Sequence, residues 1–127
     1  SDRQILWVYD DVGGFGKTWL CKYLIANHGA FYVMNGKCAD IAHAYNRQNI
    51  VCFDLTRSLQ DHVNYTVLEQ FKNGLLWSPK YDSKTKIFDA AKVVVMANFM
   101  PDKSKLSQDR WDIVDVSPAI VDDFSFI

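Results

Sequence analysis

The clearest feature of the chain is a series of short apolar runs that end on polar residues. Each of three uninterrupted runs is followed directly by an acidic or amide side chain: Ile5–Tyr9 by Asp10, Ile50–Phe53 by Asp54, and Val93–Ala97 by Asn98. Continuous apolar runs are typical of strands buried on both faces of a parallel sheet. Because ligands bind at the carboxyl ends of such strands, these polar residues are candidates for a functional site.

The segments between the runs carry apolar residues at helical spacing. Leu20 and Leu24 share one stripe of a helix predicted over residues 18–27, and Gly29 is placed to end it. The same reasoning predicts the remaining elements: strands at 31–34 and 113–116, helices at 39–45 and 63–72, a hairpin of 75–81 with 85–88, and a helical turn at 107–110. This alternation predicts an α/β fold with a mostly parallel central sheet, helices on both faces and a small β-hairpin insertion.

A glycine-rich segment joins the first strand to the first helix: Gly13-Gly14-Phe15-Gly16-Lys17-Thr18. This context is the one that a P-loop, or Walker A motif, requires, because backbone N–H groups of Gly13 to Gly16 would surround phosphate oxygens at the helix N-terminus. Lys17 would reach the β- and γ-phosphates of ATP, and the Thr18 hydroxyl would ligate Mg²⁺. One position departs from the motif, since Asp11 stands where its first glycine is expected.

Two further strand-end residues complete a candidate site for nucleotide hydrolysis. Asp54 follows four apolar residues, as a Walker B acid does, and would hold Mg²⁺ directly or through water. Asn98 could hydrogen-bond either the γ-phosphate or the lytic water. A second carboxylate next to Asp54 is missing, because Leu55 comes next. Glu69 is the remaining candidate to polarise the attacking water.

Basic and aromatic residues alternate in and around the predicted hairpin. Its lysines are Lys72, Lys80, Lys84 and Lys86, with Trp77 and Tyr81 among them. Lysines suit the phosphates of single-stranded nucleic acid and rings suit base stacking, although the same run is also compatible with a solvated hairpin. Arg110 is open to two interpretations: an arginine finger offered to a neighbouring nucleotide, or the partner of a nearby acidic side chain.

Composition narrows the class of protein. The chain has 127 residues and a formal net charge of −1, so it is long enough for one domain, and any nucleic-acid contact has to come from a local cluster. The three cysteines and three histidines have no metal-site spacing, and a disulfide framework is not expected. No apolar stretch approaches the roughly 20 residues that a membrane span needs.

The ordered set of segments resembles the superfamily 3 helicase domain of viral replication initiators, above all the Rep proteins of small circular single-stranded DNA viruses of the nanovirus and circovirus-like group. The resemblance extends from Trp7 to Trp111. The matching segments are 7–9 with 13–18, 50–58 (IVCFDLTRS), 68–81 (LEQFKNGLLWSPKY), 93–102 (VVVMANFMPD) and 106–111 (LSQDRW).

The resemblance implies an AAA+-like P-loop NTPase. Lys17, Asp54, Asn98 and Arg110 match the catalytic positions of the family, with Asp54 as the Walker B acid, Asn98 as the sensor and Arg110 as the arginine finger. The hairpin lysines match a region that faces DNA. The family forms hexameric rings in the host cell nucleus and couples Mg²⁺-dependent ATP hydrolysis to 3′-to-5′ movement on single-stranded DNA during rolling-circle replication.

Two parts of the family's full protein have no counterpart within residues 1–127. These are the nicking domain, with its His-hydrophobe-His motif and tyrosine, and the oligomerisation segment before the P-loop strand. We therefore expect the chain to be the helicase domain of a longer protein. Two other functions stay open: a degenerate nucleotide-binding module that serves assembly, and a small-molecule kinase, for which the chain lacks an arginine-rich lid.

Overall fold

A five-stranded parallel sheet forms the centre of the molecule. The computed structural model describes residues 3–11, 16–77 and 85–116. Within these ranges the strands are β1 (Ile5–Tyr9), β2 (Phe31–Val33), β3 (Ile50–Leu55), β4 (Leu75–Trp77), β5 (Thr85–Ile87), β6 (Lys92–Ala97) and β7 (Trp111–Asp115). The central sheet has the order β2–β3–β6–β1–β7, and β4 pairs with β5 in a separate antiparallel hairpin.

The register of the sheet brings the ends of its central strands together. Ala97, the last residue of β6, is paired with Tyr9 at the end of β1 and with Leu55 at the end of β3. The backbone N–H of Asp10 continues this pairing by donating to the carbonyl of Ala97 at 3.0 Å. The residues that follow these strands therefore meet at one edge of the sheet, as the polar strand ends predict.

Helices cover both faces of the sheet. They are α1 (Lys17–His28), α2 (Cys38–Ala44) and α3 (Tyr65–Asn73). On one face, α1 buries Leu20, Cys21 and Leu24 against Val8, Cys52 and Met96 of the central strands. On the other face, α2 and α3 bury a larger cluster built around Tyr45, Phe53 and Phe71. The predicted fold class, an α/β domain with a mostly parallel sheet, helices on both faces and a hairpin insertion, is confirmed.

The structure places several element boundaries differently from the sequence pattern. β3 continues through Asp54 and Leu55, because both residues pair with β6, so Asp54 lies inside the strand rather than after it. α3 begins at Tyr65 rather than Val63, because the Asn64 side chain caps it by accepting from the Val67 N–H at 3.1 Å. Short 3₁₀ helices at 57–62 and 103–105 have no counterpart among the predicted elements.

The hairpin leaves α3 through a glycine whose conformation only glycine adopts easily. Gly74 ends α3 with φ 72°, in the left-handed region. In the hairpin that follows, Leu76 is buried, whereas Leu75, Trp77 and Ile87 are exposed on the opposite side.

Among the described residues, no helix has the length and apolar character needed to cross a membrane.

Candidate functional site

The N-terminus of α1 is open at the edge where β1 ends. Gly16 precedes the helix with φ 96°, no side chain caps it, and its first turn contains no acidic residue. The uncapped N–H groups and the helix dipole together favour an anion at this point. Lys17 and Thr18 begin the helix, with Lys17 partly and Thr18 largely exposed. Of the remaining predicted phosphate-binding residues, Gly13, Gly14 and Phe15 lie outside the described residues.

The carboxylate of Asp54 lies on a neighbouring strand and is held by a tyrosine. The Tyr32 hydroxyl donates to Asp54 Oδ2 at 2.8 Å. Burial, and then this hydrogen bond, raise the pKa of Tyr32 well above its usual range, so the phenol keeps its proton and donates. No described residue donates a hydrogen bond to the other carboxylate oxygen, Oδ1. Asp54 therefore has one fixed oxygen and one that is open to a further partner.

Asn98 follows β6 directly, between the ends of β1 and β3. Its side-chain oxygen Oδ1 is buried and has no hydrogen-bond partner among the described residues. A buried polar atom left unpaired costs about 1–3 kcal/mol, so such atoms in native proteins usually face a ligand or a bound water. The Asn98 side chain therefore offers an acceptor at the edge where the site is predicted.

Arg57, which follows β3, contacts the residues that follow β1 and β6 at this edge of the sheet. Its Nη2 donates to the backbone oxygen of Asn98 at 2.9 Å and lies 3.6 Å from Asp11 Oδ1. The Arg57 and Asp11 side chains are both more than half exposed, so their ion pair contributes little to stability. Asp11, the departure from the P-loop pattern, thus lies beside a guanidinium at the mouth of the candidate site.

A pair of buried cysteines lies beneath the site, and the charges of Asp54 and Lys17 act on the pKa of one of them. Cys21 of α1 and Cys52 of β3 have their sulfur atoms 3.6 Å apart. The hydrogen bond with Cys52 is the main cause that lowers the pKa of Cys21; Asp54 raises this pKa and Lys17 lowers it. Both charged groups therefore lie within electrostatic range of one thiol. The geometry agrees, since Lys17 begins α1 and Asp54 points to the same face of β3 as Cys52, which packs against α1.

Sequence reasoning missed two residues of this edge. Arg57 could have been found, because it lies three residues after Asp54 in the segment that matches the viral Rep proteins. Tyr32 could not, because it reads only as one of the apolar positions of a strand. Its role depends on the pairing of β2 with β3, which no local pattern reveals.

Two of the predicted DNA-binding lysines turn inward. Lys72 is buried, and its Nζ donates to the backbone oxygen of Ala91 at 2.8 Å. Lys86 lies on the inner side of the hairpin, where its Nζ donates to the backbone oxygens of His43 and Tyr45. Backbone carbonyls bind both ammonium groups in this structure, and contact of these two lysines with DNA stays a prediction. Lys80 and Lys84 lie outside the described residues.

Arg110 is buried and bound by contacts within the chain, and its role as an arginine finger stays a prediction. Its side chain is 5% exposed, and its Nε lies 3.6 Å from Glu69 Oε2. Its other nitrogens donate to the Asn73 side chain at 2.6 Å and to the Arg3 backbone at 3.2 Å. Arg110 also precedes β7, so it lies at the amino end of the sheet, opposite the candidate site. The second interpretation of Arg110, an ion pair with an acidic neighbour, is the one that the structure supports.

Glu69 lies at that opposite end of the sheet too, where it is paired with Arg110. It is therefore not placed to polarise a water at the candidate site.

The residues at the site fit magnesium only together with a phosphate ligand. The part of the chain that the structure describes contains no cluster of three or more acidic, histidine or cysteine side chains that could hold a metal. Mg²⁺ is usually bound by one or two carboxylates with waters and substrate phosphates. Asp54 and Thr18 match that donor set. The uncapped N-terminus of α1 offers N–H donors to a phosphate, and the unpartnered Asn98 Oδ1 offers an acceptor to a water.

Together, these features define an α/β domain with a parallel central sheet, whose candidate site lies where β1, β3 and β6 end. The chain is 46% identical over 112 residues to the master replication protein of banana bunchy top virus, covering 88% of this chain and 39% of that protein. It is 48% identical over 108 residues to the master replication protein of faba bean necrotic yellows virus, covering 85% and 38%. It is also 42% identical over 118 residues to Para-Rep C1 of the milk vetch dwarf C1 alphasatellite, covering 90% and 41%.

Comparison of folds gives a more distant neighbour. The A-form apo structure of the C-terminal region of NrS-1 matches with a TM-score of 0.54 at 13% identity, covering 100% of this chain and 32% of that one. At this identity the match supports the fold alone. No protein-family profile matches the chain.

The chain is a homologue of nanovirus master replication proteins and of alphasatellite Rep proteins, which confirms the resemblance to the Rep proteins of circular single-stranded DNA viruses. It spans about two fifths of the length of the relatives that it matches.

Proposed function

We propose that the chain is the ATP-dependent motor of a viral replication initiator, a helicase domain that couples ATP hydrolysis to 3′-to-5′ movement on single-stranded DNA during rolling-circle replication. One observation carries the proposal: three groups belong to the same edge of the sheet. They are the uncapped N-terminus of α1 with Lys17, the Asp54 carboxylate with one oxygen bound by Tyr32, and the unpaired side-chain oxygen of Asn98. Homology to replication proteins favours a motor over other P-loop functions.

Each residue at this edge has a definite task in the proposed reaction. The N-terminus of α1 and Lys17 bind and orient the triphosphate, and their positive charge stabilises the negative charge that develops on the γ-phosphate oxygens. Thr18 and Asp54 would hold Mg²⁺, which when bound supplies further charge neutralisation between the β- and γ-phosphates. None of these tasks needs covalent participation by the protein.

The unpaired oxygen of Asn98 favours one of its two predicted tasks. An amide oxygen accepts hydrogen bonds, so it can bind a water O–H but is repelled by a phosphate oxygen. Asn98 Oδ1 would therefore orient the lytic water toward the γ-phosphate. Glu69 is paired with Arg110 at the other end of the sheet and is therefore not placed to act as the base, so we propose that Asn98 contributes by positioning the water.

Arg57 is the arginine at this edge that could stabilise charge in the transition state. Its guanidinium lies between Asp11 and the backbone of Asn98 and is more than half exposed. Arg110 would need to leave its buried contacts before it could serve a neighbouring subunit. A hexameric ring in the host nucleus stays part of the proposal, by homology.

The proposed contact with the phosphates of single-stranded DNA stays with Lys80 and Lys84, and the outer side of the hairpin adds a surface for the bases. Trp77 is 56% exposed there, beside Leu75 and Ile87. An exposed indole is a stacking platform for bases without sequence preference. Lys86 would act indirectly in this arrangement, since it fixes the hairpin to the backbone of Tyr45.

Phosphate release tests the proposed function. We expect the wild-type protein to release phosphate from ATP with Mg²⁺, with stimulation by single-stranded DNA. Lys17→Ala should reduce turnover by at least about a hundredfold, since it removes a charge that binds the triphosphate and that acts more strongly still in the transition state. Lys22→Ala, an exposed lysine of the same helix, is the matched control and should turn over like the wild type. Equal turnover in the two variants would refute the site.

A degenerate nucleotide-binding module is the second candidate. It is favoured by the lack of a second acidic residue next to Asp54, where Leu55 stands, and by the pairing of Glu69 with Arg110 at the other end of the sheet. This candidate predicts that ATP binds with Mg²⁺ but that no phosphate is released, even when the protein is assembled on single-stranded DNA.

A further inference from the structure

Tyr32 and Asp54 share one face of the sheet because of the register between their strands. In the parallel pair of β2 and β3, Tyr32 is aligned with Cys52, so both side chains point to the same face. Asp54 lies two residues beyond Cys52 and therefore points to that face as well. Cys52 belongs to the cluster beneath α1, so this is also the face that α1 covers. The tyrosine thus approaches the carboxylate from the side on which Lys17 begins its helix.

The hydrogen bond between them divides the carboxylate into two unlike oxygens. Tyr32 donates to Oδ2 at 2.8 Å, and no described residue donates to Oδ1. The terminal torsion of an aspartate is broad, so an unheld carboxylate rotates easily. A hydroxyl bound to one oxygen restricts this rotation and fixes the direction of the other oxygen. Groups that orient a metal ligand in this way commonly contribute 10- to 100-fold to metal affinity, as a rough range.

We propose that Tyr32 is a positioning residue for the metal-binding carboxylate, and that its hydroxyl holds Asp54 Oδ2 so that Oδ1 faces the divalent cation. The inference rests on the proposed function, because it requires that Asp54 binds the cation that accompanies ATP. It adds a residue that is outside the P-loop and outside the strand of Asp54. The alternative is that the hydrogen bond only attaches the edge strand β2 to β3.

Binding of Mn²⁺ separates these two roles. Mn²⁺ replaces Mg²⁺ as a paramagnetic probe, and its free concentration is followed by electron paramagnetic resonance in the presence of a non-hydrolysable ATP analogue. Tyr32→Phe removes the hydroxyl and keeps the ring. We expect it to weaken Mn²⁺ binding about tenfold. Binding of the analogue in EDTA, without any divalent cation, should stay within about twofold, because the phosphate-binding residues are unchanged.

Tyr23→Phe is the matched control. Tyr23 is 41% exposed and Tyr32 is 39% exposed, and both rings lie on the same side of the sheet, but Tyr23 stacks on Trp19 and has no contact with Asp54. Its Mn²⁺ affinity should equal that of the wild type. Thermal unfolding without metal shows whether each variant keeps its fold, and we expect both to unfold within a few degrees of the wild type.

The outcomes distinguish this inference from the function on which it rests. Mn²⁺ affinity of Tyr32→Phe equal to or higher than that of the wild type would overturn the positioning role while leaving the nucleotide site intact. A fall in unfolding temperature without a change in Mn²⁺ affinity would do the same, since it assigns the hydrogen bond to strand attachment. If Asp54→Asn binds Mn²⁺ and nucleotide as the wild type does, the metal site itself is wrong, and the proposed function fails with it.

Discussion

At the scale of single residues, the same side-chain type has different roles according to the end of the sheet at which it lies. Arg57, at the carboxyl ends of the strands, is exposed and binds a backbone oxygen beside the candidate site. Arg110, at the amino ends, is buried among Glu69, Asn73 and the Arg3 backbone. Sequence alone could not separate the two, because both follow acidic or polar residues in matching segments. Burial decides which arginine can reach a ligand.

The buried position of Arg110 leads to a stability prediction. Arg110→Ala should lower the free energy of unfolding by about 3 kcal/mol, since it leaves Asn73 and the Arg3 carbonyl without their donors and Glu69 without its counter-charge. Urea denaturation measures the change. Arg3→Ala is the control, because the Arg3 side chain makes an exposed ion pair with Asp109, and it should cost less than about 1 kcal/mol.

A catalytic finger would give the opposite result. In that case Arg110→Ala would leave the urea midpoint where it is in the wild type and would reduce ATP turnover only in the assembled protein. Unchanged stability would therefore contradict the structural role that we assign to Arg110.

At the scale of elements, α1 and α3 differ at their N-termini, and this difference bears on the candidate site. The N-terminus of α1 has no side-chain cap, whereas Asn64 caps α3 with its own side chain. A side-chain cap occupies one of the four free N–H groups at a helix N-terminus, so the uncapped α1 leaves more donors for a ligand. At their other ends both helices finish on a left-handed glycine, Gly29 for α1 and Gly74 for α3. These two glycines have similar φ values but different surroundings.

Because the two glycines have different surroundings, replacing each with alanine should lower the free energy of unfolding by different amounts. A Cβ on Gly74 would lie 2.2 Å from the backbone oxygen of Phe88, whereas a Cβ on Gly29 would meet nothing within 4 Å. Gly29→Ala should therefore lower the free energy of unfolding by only about 1 kcal/mol, which is the penalty for placing alanine in the left-handed region. Gly74→Ala should cost at least about 2 kcal/mol, because the start of the hairpin must also move. Thermal unfolding of both variants measures the difference, and equal costs would contradict the close packing of residue 74 against the hairpin.

The sequence predicted the elements better than it predicted their contacts. The apolar runs identified the central strands, and helical spacing and Gly29 identified α1, because those signals are local. The extension of β3 through Asp54 and the inward direction of Lys86 depend on pairing between distant segments. For the same reason, local motifs predict Lys17, Asp54 and Asn98 but not Tyr32, because the contact of Tyr32 with Asp54 depends on the pairing of β2 with β3.

At the scale of the whole molecule, the two ends of the sheet have separate tasks. The carboxyl ends of β1, β3 and β6 carry the residues proposed to bind ATP and Mg²⁺. The amino end of β7 carries the Arg110 network, which holds α3 and therefore the start of the hairpin. α3 thus connects this structural network to the element proposed to contact DNA. The chain covers about two fifths of the length of the viral replication proteins that it matches.

The central claim is that the segment before α1 binds a triphosphate beside the metal-binding carboxylate. Calorimetric titration of a non-hydrolysable ATP analogue into the protein tests it most directly, with and without Mg²⁺. We predict binding that Mg²⁺ strengthens, and affinity at least about tenfold weaker in Lys17→Ala, which corresponds to the loss of one charge-assisted contact of about 1.4 kcal/mol or more. Identical affinity of the wild type and Lys17→Ala, or no binding by either, would contradict the account.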